Sequence, residues 1–213
     1  MAIRNKKILI TAGPTWVPID SVRVIANIAS GETGILLAEK LRRSGAKVTL
    51  LLGPATACCL SKEIKLLRFS FFDELKDKLA RELRRKKYDI VIHSAAVSDY
   101  RPQKTYLSKV ASGRKEWRIN LVPTTRIIDL IKRIDRHLFA VGFKFEPGCP
   151  KGILLKEARA LMQGSGVDAV VANTALQGRY SAFILSRQKA YGPFNSKDKL
   201  SDNLTSYLGT VLK

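Results

Sequence analysis

The residues best suited to chemistry lie in a glycine-bearing segment near the start of the chain, directly after the apolar run Ile8-Leu-Ile-Thr-Ala12. A strand that turns into a helix there would present unpaired backbone N–H groups and the positive end of a helix dipole to an anion. Gly13, Gly31 and Gly34 would let a ligand approach the backbone closely. The spacing matches neither G-x-G-x-x-G nor the P-loop pattern. The residue types therefore predict either a phosphate site or a purely structural loop.

A second set of polar residues follows another short apolar run. The segment Ser94-Ala-Ala-Val-Ser-Asp-Tyr100 contains the carboxylate of Asp99, and Lys109 lies ten residues beyond it. On its own, Asp99 could equally be a helix cap or a turn residue. His93 lies within the apolar run and is predicted to be a core residue, whereas His137 is predicted at the surface. No Ser–His–Asp or Cys–His order is present, so the sequence does not favour a nucleophilic triad.

Taken as whole strings, these segments resemble the phosphopantothenate–cysteine ligase family, which acts in the assembly of coenzyme A from pantothenate. The first match comprises Thr11-Ala-Gly-Pro-Thr15, Pro18-Ile-Asp20, Val22-Arg23, Asn27 and Ser30-Gly31 with Gly34. The other matches are the segment from Ser94 to Tyr100 with Lys109, Leu121-Val-Pro123, Val141-Gly-Phe143, Asp168-Ala-Val-Val-Ala-Asn173, and Pro193 with Lys197. The resemblance runs nearly end to end. It predicts the ligase part alone, without the flavin-dependent decarboxylase domain that bacterial members commonly carry.

The resemblance implies a two-step reaction. A nucleoside triphosphate, CTP or ATP, with Mg²⁺ would activate the carboxylate of 4'-phosphopantothenate and release pyrophosphate, and the amine of cysteine would then displace the nucleotide. By resemblance, Lys109 would stabilise the charge at the α-phosphate. Asn27 would hold the acyl carbonyl or the neighbouring amide of phosphopantothenate.

The remaining site residues are also carried over from the resemblance. Arg23, Asn27 and Gly31 would bind the substrate. The nucleotide would be bound by Gly13, Pro14, Thr15, Ala95, Ala96, Asp99, Lys109 and Phe143, with Phe143 packed on the base. The resemblance assigns no metal ligand.

Several positions depart from the family pattern around the triphosphate. Two lysines usual in bacterial members are replaced by Leu161 and Ser165, and the usual Asn-Pro-Asp reads Thr124-Thr125-Arg126. Glu32 stands where many members have a lysine, and an acidic turn has become Gly178-Arg-Tyr-Ser181. These departures leave the choice between CTP and ATP open. They also leave open a diverged homologue that binds a nucleotide or phosphopantothenate without ligating it. A Rossmann oxidoreductase or a nucleic-acid-binding protein is disfavoured, because the G-x-G-x-x-G and Tyr-x-x-x-Lys patterns are missing.

The elements that would position these residues alternate between strands and helices. This pattern predicts an α/β, Rossmann-like, doubly wound and mostly parallel sheet with a C-terminal β-hairpin. The predicted strands are Lys7 to Ala12, Lys47 to Leu52, Asp89 to His93, Leu138 to Phe143 and Ala169 to Ala172, and the hairpin pairs Ser181 to Leu185 with Gln188 to Gly192. The predicted helices are Gly34 to Ser44, Phe72 to Lys87, Thr124 to Arg133 capped by Thr124, Lys151 to Met162 and Lys197 to Leu212. The motifs then follow four strand ends and should converge on one crevice.

The segment from Arg101 to Asn120 is long, basic and polar for a connection within a compact domain. It predicts either a solvent-exposed hairpin or an arm that covers the site and contacts a second subunit. The resemblance favours an arm that makes a homodimer, with Lys109 mobile until substrate binds. The alternation in Trp117-Arg-Ile-Asn-Leu121 predicts an amphipathic strand for that pairing.

Length and composition set the remaining bounds. A chain of 213 residues with 46% hydrophobic content predicts one domain, 1–213. No signal peptide or membrane span is recognisable, so a cytoplasmic protein is expected. Cys58, Cys59 and Cys149 have no metal-ligand spacing and are expected to be free thiols. The net charge of +20 favours anionic ligands, but solvated helix faces explain it more simply than a nucleic-acid site. Whether a separate decarboxylase partner exists is left open.

Overall fold

The computed structural model describes residues 3–55, 60–85 and 87–211, so Cys58 and Cys59 lie outside the described residues. Its strands are β1 Lys7–Ala12, β2 Trp16–Pro18, β3 Val24–Ala26, β4 Lys47–Leu52, β5 Lys65–Arg68, β6 Ile90–His93, β7 Tyr100–Pro102, β8 Leu121–Pro123, β9 Phe139–Phe145, β10 Ala169–Leu176, β11 Arg179–Leu185 and β12 Ala190–Phe194. Its helices are α1 Glu32–Arg43, α2 Phe72–Arg85, α3 Ile127–Ile134, α4 Lys151–Ser165 and α5 Lys197–Val211. None of these helices has the length and apolar content that a membrane crossing requires.

Eight strands form one mixed sheet in the order β12-β11-β10-β9-β6-β1-β4-β5. The strands from β5 to β10 in this order run parallel, and β11 and β12 are antiparallel additions at one edge. From β1 the chain first builds outward through β4 and β5 and then returns to place β6 on the other side of β1. The strand order therefore reverses between β1 and β6, where ligands bind in open α/β sheets. The predicted doubly wound sheet and its C-terminal hairpin are confirmed.

The sheet is buried on both faces, which explains its continuous apolar strands. Ile8 and Ile10 of β1 point into the core beneath α1 and α5, together with Leu37 and Leu204. Leu9 points into the opposite core, which α2, α3 and α4 cover. Parallel strands of this kind read as apolar runs because neither face meets water.

Gly34 allows α1 to approach the sheet closely at the end of β1. A Cβ atom on Gly34 would lie 2.4 Å from the Cβ of Ala12 and 2.9 Å from the Oγ of Ser94. Both distances are far below a normal van der Waals contact. A glycine is therefore required for the start of α1 to pack against the ends of both β1 and β6.

Several predicted boundaries were wrong, among them the three that follow. Helix α1 begins at Glu32 rather than Gly34, because Gly31 adopts the left-handed conformation that sets its start. Helix α3 begins at Ile127, and Thr124 does not cap it, since the Thr124 hydroxyl donates to the carbonyl of Ser98 at 2.7 Å. The strand predicted over Trp117 to Leu121 is wrong, since β8 begins only at Leu121. The ring of Trp117 lies instead against the guanidinium of Arg23.

Two short antiparallel pairs lie outside the main sheet. Strand β2 pairs with β3, and β7 pairs with β8 at the base of the segment 101–120. Both pairs contain three-residue strands with proline, a composition that does not indicate a strand. They place Asn27 and the segment 101–120 beside the crevice. The strands that the sequence patterns did not predict are therefore those nearest the site.

Candidate active site

Two loops that leave neighbouring strands are joined by backbone pairing beyond the end of the sheet. Pro14 and Ala96 form a parallel bridge. The N–H of Ala96 donates to the carbonyl of Gly13 at 3.0 Å, and the N–H of Thr15 donates to the carbonyl of Ala96 at 3.2 Å. The loop after β1 and the loop after β6 thus form one continuous floor at the point where the strand order reverses.

Hydrogen bonds of threonine and serine hydroxyl groups hold this floor in place. The Oγ1 of Thr15 lies 3.1 Å from the Oγ of Ser98 and accepts from the N–H of Ser98 at 2.9 Å. Thr124 Oγ1 donates to the Ser98 carbonyl, and the N–H of Thr124 donates to the carbonyl of Asp99 at 2.8 Å. Because these groups satisfy one another, the loop that carries Asp99 is held firmly although Asp99 itself is exposed.

The predicted nucleotide-binding residues separate into two layers. Gly13, Pro14 and Thr15 are buried, and the backbone of Gly53 packs directly against Gly13, whose φ is +81°. They form the base of the crevice, and their direct contact with a nucleotide stays a prediction. The residues above them are partly or fully exposed, namely Ala95, Ala96, Asp99, Lys109 and Phe143. Within the described residues no group bonds or pairs with the carboxylate of Asp99.

Asn27 is placed beside this floor by the β2–β3 hairpin. Its Nδ2 donates to the carbonyl of Val97 at 3.0 Å, which joins the hairpin to the loop after β6. Its Oδ1 accepts no hydrogen bond from any described residue, and the side chain is exposed. The amide is therefore oriented by the protein at one end and available to a ligand at the other.

The start of α1 offers backbone N–H groups to an anion. Gly31 caps the helix with φ of +72° and has no side chain to contribute a hydrogen bond. The hydroxyl of Ser30 accepts from the N–H of Glu32 at 3.3 Å, and the N–H groups of the residues that follow in the first turn are available to an anion. Glu32 follows at once, where its charge would repel a phosphate. The structure pairs Glu32 with Lys197 of α5. The ion pair offsets the acidic charge that the sequence placed at this helix start.

A further set of polar atoms lies where β10 and β11 extend beyond β9. Asn173 belongs to one of the matching segments and Tyr180 to the altered turn Gly178-Arg-Tyr-Ser181, but neither was predicted to bind a ligand. Asn173 Oδ1, Thr174 Oγ1 and the hydroxyl of Tyr180 are buried without a hydrogen-bond partner among the described residues. Burial raises the pKa of Tyr180 to about 12. The nearby side chain of Asn173 opposes this effect, and the charge of Glu32 adds to it. Such atoms are costly when unpaired, and a polar ligand would satisfy them.

The residues in place of the usual lysines do not face the crevice. Leu161 packs against the second core, and the buried Ser165 donates through its hydroxyl to the carbonyl of Leu161 at 2.7 Å. A guanidinium nitrogen of Arg126 lies 3.8 Å from where a Cβ on Gly164 would be, beside the same end of α4. A positive charge thus remains close to this part of the helix although the two lysines are absent.

His93 ends β6 beneath the crevice and is a core residue, as predicted. Its Nδ1 lies 2.8 Å from the hydroxyl of Thr11. Burial lowers its pKa from 6.5 to about 4. The imidazole is therefore neutral near pH 7, and its role is to hold the ends of β1 and β6 together.

We expect this neutral histidine to make stability pH-dependent. Its folded pKa is depressed, so between pH 6.5 and about 4 the unfolded chain binds the proton more readily, and stability is lost as pH falls through that window. The loss from this group approaches about 3 kcal/mol at the acid end. Urea unfolding at pH 7.5 and 5.0 should show a smaller decrease for His93→Asn than for the wild type. Equal decreases would remove His93 as a source of acid sensitivity.

The segment 101–120 lies against the β2–β3 hairpin rather than in open solvent. The N–H of Tyr106 donates to the carbonyl of Ile19 at 3.0 Å, and the hydroxyl of Thr105 donates to the carbonyl of Pro18 at 3.3 Å. Lys109 is exposed, and within the described residues its ammonium has no partner. The segment, called the arm below, is thus attached at its backbone while its lysine is available.

The sequence of this chain is similar to those of known proteins. The model of the family "DNA/pantothenate metabolism flavoprotein C-terminal domain" matches residues 3–208. The coenzyme A biosynthesis bifunctional protein CoaBC of Thermococcus kodakarensis is 36% identical over 173 residues, which cover 81% of this chain and 42% of that protein. This chain therefore spans less than half the length of that relative.

Solved structures share the fold. The DNA/pantothenate metabolism flavoprotein of Streptococcus pneumoniae superposes with a TM-score of 0.87 at 23% identity, covering 97% of this chain and 99% of that chain. A Cab2 mutant in complex with phosphopantothenate-cysteine superposes with a TM-score of 0.80 at 16% identity, covering 98% of this chain and 88% of that chain. At these identities the likeness shows a common α/β fold.

Proposed function

Because this chain belongs to the family of the DNA/pantothenate metabolism flavoprotein C-terminal domain, we propose that it joins 4'-phosphopantothenate to cysteine through a nucleotide-activated intermediate. One observation carries the proposal. The amide of Asn27, anchored to Val97, stands beside the rigid floor that presents Asp99. An oriented amide and an unpaired carboxylate at a strand-order reversal suit one acyl substrate and one nucleotide.

The first chemical step transfers a nucleotide to the substrate carboxylate. The carboxylate oxygen attacks the α-phosphorus, the bond to the β-phosphate breaks, and pyrophosphate leaves. Negative charge builds on the α-phosphate, where the Lys109 ammonium and the N–H groups at the start of α1 would stabilise it. Asp99 and the backbone of Ala95 and Ala96 would hold the nucleoside, with Phe143 against the base.

In the second step the cysteine amine attacks the activated acyl carbon, the bond from that carbon to the phosphate oxygen breaks, and the nucleoside monophosphate leaves with the electron pair. The nitrogen releases its surplus proton to water. Asn27 would orient the acyl group for this attack, and Arg23 and Gly31 would contribute to binding phosphopantothenate. Such positioning lowers the barrier because the translational and rotational entropy of the reactants is already lost on binding.

Magnesium would reach this site mainly as part of the nucleotide. The described residues contain no group of three or more His, Cys, Asp or Glu side chains that could hold a metal. Mg²⁺ commonly binds through one or two carboxylates together with substrate phosphates and water. The ion would neutralise phosphate charge as part of the bound nucleotide.

Pyrophosphate release provides the test. The protein is incubated with phosphopantothenate, Mg²⁺ and either CTP or ATP, with and without cysteine. We expect release that depends on phosphopantothenate, and amide product only when cysteine is present. The relative rates identify the nucleotide, which the departures near the triphosphate leave open. Nucleotide binding without release would instead establish a non-ligating homologue.

We also propose a homodimer in which the arm contacts a second copy. Several large apolar side chains are exposed on the hairpin and the arm, with Ile28 at 107% and Leu107 at 99% relative exposure. Tyr100 and Leu121 of the β7–β8 pair are exposed as well. Large exposed apolar side chains of this kind are candidates for burial in an interface between subunits.

The dimer should tighten as salt rises. The net charge of +20 opposes association of two copies, and added salt screens that repulsion. Sedimentation at about 50 mM and 500 mM salt checks this. The screening length is longer than ~10 Å at the lower ionic strength and shorter than ~10 Å at the higher one. A Leu107→Ser variant should shift the equilibrium toward monomer. A wild-type monomer at both salt concentrations with full ligase activity would contradict the dimer.

A further inference from the structure

Asp20 is a buried carboxylate at the tip of the β2–β3 hairpin, and its side chain is 0% exposed. Its Oδ1 accepts from the N–H of Val22 at 2.9 Å and from the N–H of Arg23 at 2.8 Å. Its Oδ2 accepts from the N–H of Val110 at 3.1 Å and from Nη1 of Arg23 at 2.6 Å. The carboxylate thus bonds only its own hairpin with Oδ1, whereas Oδ2 bonds both the hairpin and the arm.

Arg23 closes the ring of contacts. The same Nη1 donates to the carbonyl of Val110 at 3.2 Å, and the guanidinium lies 5.1 Å from the centre of the Trp117 ring. Both backbone groups of Val110 are therefore bonded to the hairpin. Two separate parts of the arm, around residues 110 and 117, are held by one ion pair.

These contacts fix the residue next to Lys109. Val110 is 6% exposed, whereas the residues immediately around it in the arm are exposed. The Cα atoms of adjacent residues are 3.8 Å apart, so fixing Val110 limits where the Lys109 side chain can reach. The hairpin that holds Val110 also carries Asn27, which places both predicted catalytic residues on one connected unit.

The network requires an ionised carboxylate. Burial raises the pKa of Asp20, but hydrogen bonds from Val22, Val110 and Arg23, with the charge of Arg23, outweigh burial and lower that pKa below its usual value. All four groups that face the two oxygens are donors. A neutral amide in this position would turn one of its own N–H donors toward another donor.

From these contacts we propose that Asp20 is a positioning residue, a latch that holds Arg23 and the Lys109 part of the arm in the arrangement needed for nucleotide transfer to the substrate carboxylate. This proposal rests on the proposed function for its catalytic consequence. Its structural consequence, an arm held closed by one carboxylate, stands independently.

Asp20→Asn tests the latch because it keeps the shape of the side chain and removes the charge. Hydrogen exchange should accelerate in peptides covering 103–120 and remain unchanged in β1 and β6. The turnover number should fall by about tenfold to a hundredfold, the size expected when a catalytic group is misplaced by about 1 Å. The KM for the nucleotide should change less than kcat. Asp77→Asn, an exposed carboxylate on α2, is the matched control and should behave as the wild type.

A second variant keeps the test decisive if Asp20→Asn does not fold. Val110→Pro removes the N–H that bonds Asp20 and lies in the arm, outside the eight-stranded sheet. It should also accelerate exchange in 103–120 and lower kcat. Unchanged arm exchange in both variants would overturn the latch, and faster arm exchange with wild-type kcat would overturn its role in positioning Lys109 for catalysis. If the wild type itself releases no pyrophosphate, the proposed function fails while the exchange data still decide the latch.

Discussion

Lys109→Ala is expected to lower kcat by at least about a hundredfold, corresponding to roughly 3 kcal/mol of lost transition-state stabilisation. The ammonium has no described partner in the protein, so its charge is available to the α-phosphate. Its removal also takes no packing from the core, because the residue is exposed. Thermal unfolding should therefore change little, as for an ordinary surface substitution. Steady-state pyrophosphate release, measured with saturating nucleotide, gives the effect directly.

Lys115→Ala is the matched control for this experiment. Lys115 is an exposed lysine of the same arm and, within the part of the chain that is described, takes part in no ion pair. It reproduces the loss of one positive charge without removing the predicted catalytic group. A Lys109→Ala enzyme with more than half of wild-type turnover would exclude Lys109 from the mechanism.

Asn27→Asp should separate the two chemical steps. The isosteric carboxylate would repel the acyl phosphate, and it would face the carbonyl of Val97 that the Asn27 amide now bonds at 3.0 Å. We expect nucleotide binding to survive and the rate of amide formation to drop by about a hundredfold or more. The acyl-nucleotide should accumulate in reactions quenched before completion.

Asn27→Ala distinguishes the added charge from the lost hydrogen bond. It removes the contact with Val97 without introducing a carboxylate, so it should lower the rate of amide formation less than Asn27→Asp does. Equal yields of amide from Asn27→Asp and the wild type at every time point would refute a role for Asn27 in the second step.

The regular part of the fold was predictable because both faces of the sheet are buried. Strands β1 and β4 are apolar runs, and their predicted bounds, Lys7 to Ala12 and Lys47 to Leu52, agree with the structure. Strand β10 was predicted only to Ala172 but continues to Leu176, where residues pair with β11. That extension depends on a partner strand, and the local apolar pattern carries no information about it.

The candidate site was predictable only in part. The positions after β1 and β6 follow from the rule that motifs gather at carboxyl ends of strands, and the structure joins those two loops. The roles of Asp20 and Val110 could not be derived from spacing, since a backbone N–H has no sequence signature and 90 positions separate the two residues. Thr124 was misassigned for the same reason, because its hydroxyl bonds a distant carbonyl.

The packing of α5 over α1 bears on how the chain must be made. Leu37 and Leu41 of α1 share a core with Leu200, Leu204 and Leu208 of α5, and Lys40 bonds Asp202, which is 162 positions later. At translation rates of about 5 to 20 residues per second, α1 leaves the ribosome roughly 10 to 30 s before α5, which packs over it. For that interval its apolar face is uncovered in the nascent chain. A ribosome that stalls before residue 197 would release a chain with that face still open, a substrate for chaperones or proteases.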